Sequence, residues 1–161
     1  MSQYRRLKAP DSTWFFTVCL AEPGSRLLTD RIDALREAYR RTAADHPITC
    51  EAMVVLPDRV HAIWTLPGAG GDYSLRWRLI KGRFTHFVGA AEQRRPSLLR
   101  RREGGVWQRR FWEHRIRDEG DFAAHRDLCL MSPVAAGLVT AAEDWPFSTL
   151  HRDRRAERLA A

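Results

Sequence analysis

At 161 residues, the chain is long enough for one domain with a buried core and too short to expect two, so residues 1–161 read as a single unit ending in a charged tail over 152–161. A hydrophobic fraction of 44% with six tryptophans excludes a disordered polar chain, and no apolar run approaches the roughly 20 residues of a membrane-spanning helix. A formal net charge of +7 points to a polyanionic partner, while Met1-Ser2-Gln3-Tyr4-Arg5-Arg6 has no apolar stretch behind its charges to form a secretory signal.

Residues 13–20 are dense in aromatic and β-branched side chains and predict a strand, ended by Pro23-Gly24. Over residues 30–44, Ile32, Leu35, Ala38 and Tyr39 recur at helical spacing among charges, with Asp30 as the candidate N-cap. Residues 48–55 and 60–66 predict two strands joined by the turn Leu56-Pro57-Asp58-Arg59. After a flexible loop at 67–71, a helix is predicted over 74–88. It carries Leu75, Leu79 and Ile80 on one face, and Arg76, Arg78, Lys81 and Arg83 as a basic stripe elsewhere. Residues 93–105 form a polar, arginine-rich connector. An extended, hairpin-like segment is predicted over 106–116, then a helix over 118–131 that stops before Pro133. Gly137-Leu138-Val139 and Asp144-Trp145-Pro146-Phe147 predict a closing loop, and the tail from His151 is helical or frayed. This order predicts an α+β protein, a ferredoxin-like sandwich whose central antiparallel sheet carries helices packed on it.

Cys19, Cys50 and Cys129 are scattered without metal-ligand spacing and read as reduced thiols of a cytoplasmic protein. Of the 27 basic side chains, all but Lys8 and Lys81 are arginine. The planar guanidinium fork matches phosphate oxygens and guanine edges, and it stacks on bases. Arginine-favouring codon usage accounts equally well for the overall bias, but not for its clustering. From Arg94 to Arg117 there are nine arginines against two glutamates, with Trp107, Phe111 and Trp112 interleaved. Single-strand nucleic-acid grooves use this alternation for backbone attraction and base stacking. Arg109, Arg110, Arg115 and Arg117 are candidate DNA contacts, joined by Arg76, Arg78, Lys81 and Arg83; a solvated basic face has the same pattern. One of the three aromatics is expected to face nucleic acid and the others to enter the core.

Five segments, in order, carry a resemblance: Trp14-Phe15-Phe16-Thr17-Val18; residues 53–67, which contain Leu-Pro-Asp-Arg-Val-His-Ala-Ile-Trp; residues 73–81; Trp107-Gln108-Arg109-Arg110-Phe111-Trp112-Glu113-His114-Arg115-Ile116-Arg117-Asp118; and Ser132-Pro133-Val134-Ala135-Ala136-Gly137-Leu138-Val139 followed by Asp144-Trp145-Pro146-Phe147-Ser148. Together they resemble the REP-associated tyrosine transposases, a branch of the single-tyrosine HUH transposases. The resemblance implies a ferredoxin-like fold. It also implies nicking of single-stranded DNA at repetitive extragenic palindromes, which fold into hairpins with a short recognition tetranucleotide at the foot. Such enzymes hold a divalent metal with a His-hydrophobic-His motif on a strand. A helical tyrosine attacks phosphorus, and an asparagine or glutamine four residues beyond it completes the metal site. Residues i and i+2 of a strand share a face, as do i and i+4 of a helix, so the parts can converge on one ion that polarises the phosphate.

At the matching positions this chain has Arg59 and His61 in place of two histidines, Leu128 in place of the tyrosine and Ser132 in place of the asparagine. No intact catalytic set is therefore expected. His61 alone is an insufficient metal site and reads as a packed or hydrogen-bonded histidine in preference to a working ligand. His114 and His125 have no ligand spacing with it. Leu128 reads as an extension of its helix's apolar face. Arg59 puts a fixed cation where a metal would sit, which suits it to hold a DNA phosphate directly; neutral drift in a decaying site accounts for it equally well.

The expected function is binding of single-stranded or hairpin DNA by a monomer, with no cofactor, no membrane contact and no nicking. Two alternatives stand beside it. One is an active nuclease that uses Mg2+ or Mn2+ with a non-standard nucleophile such as Tyr73. The other is a basic interaction module for RNA or an acidic protein.

Overall fold

The computed structural model describes residues 11–68, 71–89 and 105–161; the connector expected over 93–105 lies almost wholly outside them, as do Tyr4 and the arginines between positions 94 and 102. Strand β1 (Ser12–Cys19) alternates as a strand buried on both faces should, with Phe16 and Val18 on one side and Phe15 and Thr17 on the other. It pairs with β3 (Arg59–Leu66) on one edge and β4 (Trp112–Arg115) on the other. Strand β2 (Thr49–Val55) adds outside β3. The sheet is antiparallel throughout in the order β2-β3-β1-β4, the order of the ferredoxin-like sandwich.

Helices cover both faces. On one, α2 (Ile32–Asp45) and α3 (Tyr73–Phe87) bury Phe16, Val18, Trp64 and Leu66 beneath Trp77, Ile80 and Phe84. There the Trp64 and Trp77 rings stack with centroids 4.2 Å apart. On the other, α4 (Glu119–Ala135) packs Phe122 and Cys129 onto Phe15, Ala52, Val54 and Ile63. The two cores are separated by the sheet, and the period-two alternation of β1 and β3 assigns each side chain to one of them.

Three local expectations change. Asp30 does not cap α2; it closes a one-turn helix α1 (Leu27–Asp30), and Arg31 stands at the α2 N-cap with no side-chain cap bond. The segment 106–116 is no hairpin. Val106 and Trp107 are buried, Trp107 bridges Leu20, and only β4 is a strand, so the segment follows β1 instead of folding on itself. The third change is at Pro133, where α4 continues to Ala135. A proline has no N–H for the carbonyl four residues back, which here is Cys129. The Ser132 hydroxyl donates to that carbonyl at 2.7 Å, replacing the lost backbone bond. The helix ends instead at Gly137, whose φ of +71° lets its N–H and that of Leu138 turn back to Val134 and Pro133.

Beyond a 3-10 turn (Ala142–Asp144), the chain runs along β2. The Val55 N–H donates to Phe147, the Thr149 N–H donates to Met53, and Trp145 Nε1 reaches the Val55 carbonyl at 2.9 Å. The expected charged tail is helix α5 (Leu150–Ala160), anchored where Arg152 donates to the Cys50 and Glu51 carbonyls. Among the described residues no helix is long and apolar enough to cross a membrane.

The Pro133 repair is directly testable. Ser132→Ala strands a buried carbonyl and should cost about 1–3 kcal/mol in denaturant unfolding. Adding Pro133→Ala, which returns the missing N–H, should recover much of that loss.

Candidate nucleic-acid interface

Arg59 and His61 project from the same face of β3, the face that α4 crosses. Leu128 and Ser132, four residues apart, share a face of α4. The structure brings all four to a single cleft of about 750 Å³, which Arg26, Asp58 and Met131 also line. Arg26 arrives from the loop before α1, held close because the Gly24 N–H donates to Asp58 at 3.1 Å.

Within the cleft Arg59 is not an isolated cation. Its Nε donates to Asp58 Oδ1 at 3.0 Å and a terminal nitrogen to Oδ2 at 3.4 Å. These bonds hold the Asp58 carboxyl below its ordinary range and raise the guanidinium further. The remaining N–H groups of the fork are unspent by this pair. His61 is buried, hydrogen-bonds Thr17 Oγ1 through Nδ1 at 2.8 Å and stacks on Phe15. Burial first, and then the Arg59 charge, push its pKa down to about 4, with Asp58 offsetting part of the second effect. It is therefore a neutral imidazole near pH 7, the packed and hydrogen-bonded state of the two read from sequence. Leu128 departs from expectation. It does not extend the buried face of α4 but stands 51% exposed in the cleft, beside Met131 at 48%. Ser132 is buried, its hydroxyl committed to Cys129.

These residues do not fit the divalent ion that the resemblance implies. The Arg59 guanidinium stands where a second imidazole ligand is implied and offers an ion no lone pair. Ser132 points its oxygen into its own helix, and Leu128 has no donor atom. Among the described residues no tyrosine lines the cleft. Tyr73 packs on Trp14 and Phe16, and Tyr39 on Trp64, all on the α2–α3 side of the sheet. The sheet separates both phenols from the cleft, and burial raises the pKa of each.

The predicted basic residues divide. Arg76 is corrected: it is 6% exposed and donates to the carbonyls of Pro47, Gly71 and Asp72, joining two loops. Arg83 is engaged with Thr42 and Asp45. Lys81 donates to the Gln108 carbonyl at 2.8 Å over the Phe111 ring. Arg78, Arg109, Arg110, Arg115 and Arg117 lie on the surface. Of the aromatics, Trp107 is 5% exposed, Phe111 packs beneath Phe16 and Trp77, and Trp112 is 65% exposed.

Trp112 pairs across the sheet with Thr17, and Thr17 with His61. Directly opposed side chains share a face, so the indole stands two strand spacings, about 10 Å, from the histidine on the cleft side. Sequence reasoning missed Arg26, which carries no local signal. It also missed that His114 and His125 converge with each other, on Asp121.

No protein-family profile matches the chain. A REP-associated tyrosine transposase of Escherichia coli (strain K12) is 44% identical over 153 residues, covering 95% of this chain and 85% of that protein. A protein of Haemophilus influenzae, given the same family name provisionally, is 39% identical over 158 residues, covering 98% of this chain and 90% of its own. A solved structure of a REP-associated tyrosine transposase bound to a REP hairpin superposes with a TM-score of 0.80 at 44% identity, over 96% of this chain and 86% of that one.

His61 should leave a signature in stability against pH. Its folded pKa of about 4 lies below the unfolded value of about 6.5. The unfolded chain therefore binds the extra proton first, and stability falls as pH drops from about 6.5 towards 4. Up to about 3 kcal/mol is expected from this group, read as the difference in unfolding free energy between the unaltered protein and His61→Gln across that window.

Proposed function

The chain belongs to the REP-associated tyrosine transposases, and on that footing we propose that it binds hairpin or single-stranded DNA across the Arg59 cleft and the β4 edge, and does not nick it. The observation that carries this reading is the side-chain set of the cleft: a guanidinium, a neutral imidazole and an aliphatic chain facing one another. Such a set can hold a phosphate, and it has no phenol at position 128 to attack one. Transfer through a covalent intermediate needs a lone pair on the attacking side chain, and Leu128 offers only C–H bonds.

The parts divide the labour of binding. The unspent N–H groups of Arg59 hold a phosphate by charge-assisted bonds, with Arg26 at the rim. Because Asp58 offsets its charge, Arg59 contributes geometry more than long-range attraction. That attraction falls to Arg78, Arg109, Arg110, Arg115 and Arg117, spread over the surface. Trp112 offers an open indole face to a base. The relative of known structure was captured with a REP hairpin, and the same ligand class suits this surface.

Arg59→Ala should weaken hairpin binding by about tenfold to a hundredfold, the loss of a charge-assisted bond, and flatten the salt dependence by about 0.7 of a logarithmic unit per decade. Unchanged affinity in Arg59→Ala, together with tighter binding on adding Mg2+, would defeat the phosphate assignment. Trp112→Ala should cost about 1–3 kcal/mol of binding, as measured by fluorescence anisotropy. Comparison with linear and duplex DNA separates hairpin recognition from general polyanion binding.

Incubated with labelled hairpin and Mg2+ or Mn2+, the unaltered protein should form no covalent adduct. The combined variant Arg59→His, Leu128→Tyr and Ser132→Asn should form one. An adduct with the unaltered protein overturns the reading.

A further inference from the structure

Seven residues before Asp121, His114 lies on β4; four residues after it, His125 follows on α4. Neither spacing announces a site, yet both imidazoles aim a nitrogen at the same carboxylate. His114 Nε2 lies 2.9 Å from Asp121 Oδ2, and His125 Nδ1 lies 3.0 Å from Oδ1 while hydrogen-bonded to the Asp121 backbone carbonyl at 2.9 Å, a bond it would exchange for an ion. The two rings stack with centroids 4.5 Å apart and planes 17° from parallel. One ligand atom from each residue falls within 4.8 Å of the others.

From this geometry we propose that His114, Asp121 and His125 form a binding site for a divalent transition cation of the zinc class. The donor set is two neutral nitrogens and one anionic oxygen, which suits borderline cations such as Zn2+ or Co2+ over Mg2+. Zinc bonds of about 2.0–2.1 Å in a tetrahedron place donor atoms about 3.3 Å apart, so the two His–Asp121 contacts would open by a few tenths of an ångström, while the imidazole nitrogens, within 4.8 Å of each other, would turn towards the ion. With neutral imidazoles the cluster carries the single negative charge of Asp121, the sign a cation requires. The Arg117 N–H donates to Asp121 Oδ2 at 2.9 Å, fixing the carboxylate from behind as outer-shell donors fix metal ligands. Although burial opposes it, that bond and His114 hold the carboxyl below its ordinary range.

The site is separate from the Arg59 cleft. The Phe15 ring stands between them, with its centroid 4.9 Å from that of His125 and 5.9 Å from that of His61. All three ligand residues are partly exposed, so an ion can enter and keep a position open to water. Its structural effect is a clamp. One ligand belongs to edge strand β4, two residues from Trp112, and two belong to the first turns of α4. The bound ion would tie the exposed edge to the helix that roofs the cleft. This inference does not depend on the DNA-binding reading.

The test is titration of chelator-treated protein with ZnCl2 in competition with a chromophoric zinc indicator. One equivalent should bind. Affinity should fall by about a hundredfold or more in His114→Ala and in His125→Ala, the loss of a ligand outweighing the loss of an outer-shell partner. His61→Ala should bind as the unaltered protein does. Nitrogen chemical shifts of the unaltered protein provide a measurement free of folding defects: zinc should move His114 Nε2 and His125 Nδ1 while leaving His61 in place. Absence of stoichiometric binding, retention in His114→Ala, or a shift confined to His61 overturns the site.

Discussion

Eight residue pairs join β1 to β3, from Ser12 opposite Leu66 to Cys19 opposite Arg59, and side chains alternate across every one. A slip of one residue would turn Arg59 and His61 into the α2–α3 core and bring the Trp64 indole out onto the α4 face. The register is held by the aromatic burial it permits: Phe16 and Trp64 on one side, Phe15 and Ile63 on the other. The chemistry of the cleft is thus inherited from the packing of the sheet. Loop residues such as Arg26 and Asp58 adjust it but do not create it.

Two positions to which the resemblance assigns catalysis carry structural duties in this chain. Ser132 supplies the hydrogen bond that Pro133 removes, so its oxygen belongs to the helix backbone. Arg59 is bound to Asp58, which also receives the Gly24 N–H, so the guanidinium helps fix the loop that carries Arg26. A cation stands at the place where the resemblance implies a metal, but it is covalently attached and bonds through directional N–H groups. It can orient a phosphate without offering the open coordination a leaving oxygen needs.

Much of the fold was legible because its signals are local. Alternation marks β1, and helical spacing of Ile32, Leu35, Ala38 and Tyr39 marks α2. The passage of α4 through Pro133 was not, since proline rules carry no knowledge of a hydroxyl one residue earlier that can take the orphaned carbonyl. Arg76 was misassigned because a basic stripe on a helix looks the same whether it meets solvent or the carbonyls of Pro47 and Gly71. For the cleft, the resemblance named Arg59, His61, Leu128 and Ser132, two pairs that lie nearly seventy positions apart and have no pattern in common. His114, Asp121 and His125 were each visible, but their meeting depends on how β4 docks beside β1, which no periodicity encodes.

The run of chain over residues 147–149, with Arg152 beside it, occupies the outer margin of β2. Among the described residues this leaves β4 as the sheet margin where backbone N–H and carbonyl groups remain open to another strand. Such margins seed aggregation when they are long and apolar. This one has four residues, and Glu113 and Arg115 on it are charged and exposed. The fold thereby carries a built-in deterrent to sheet-to-sheet association with its own copies, and any strand that did add to it would lie against Trp112.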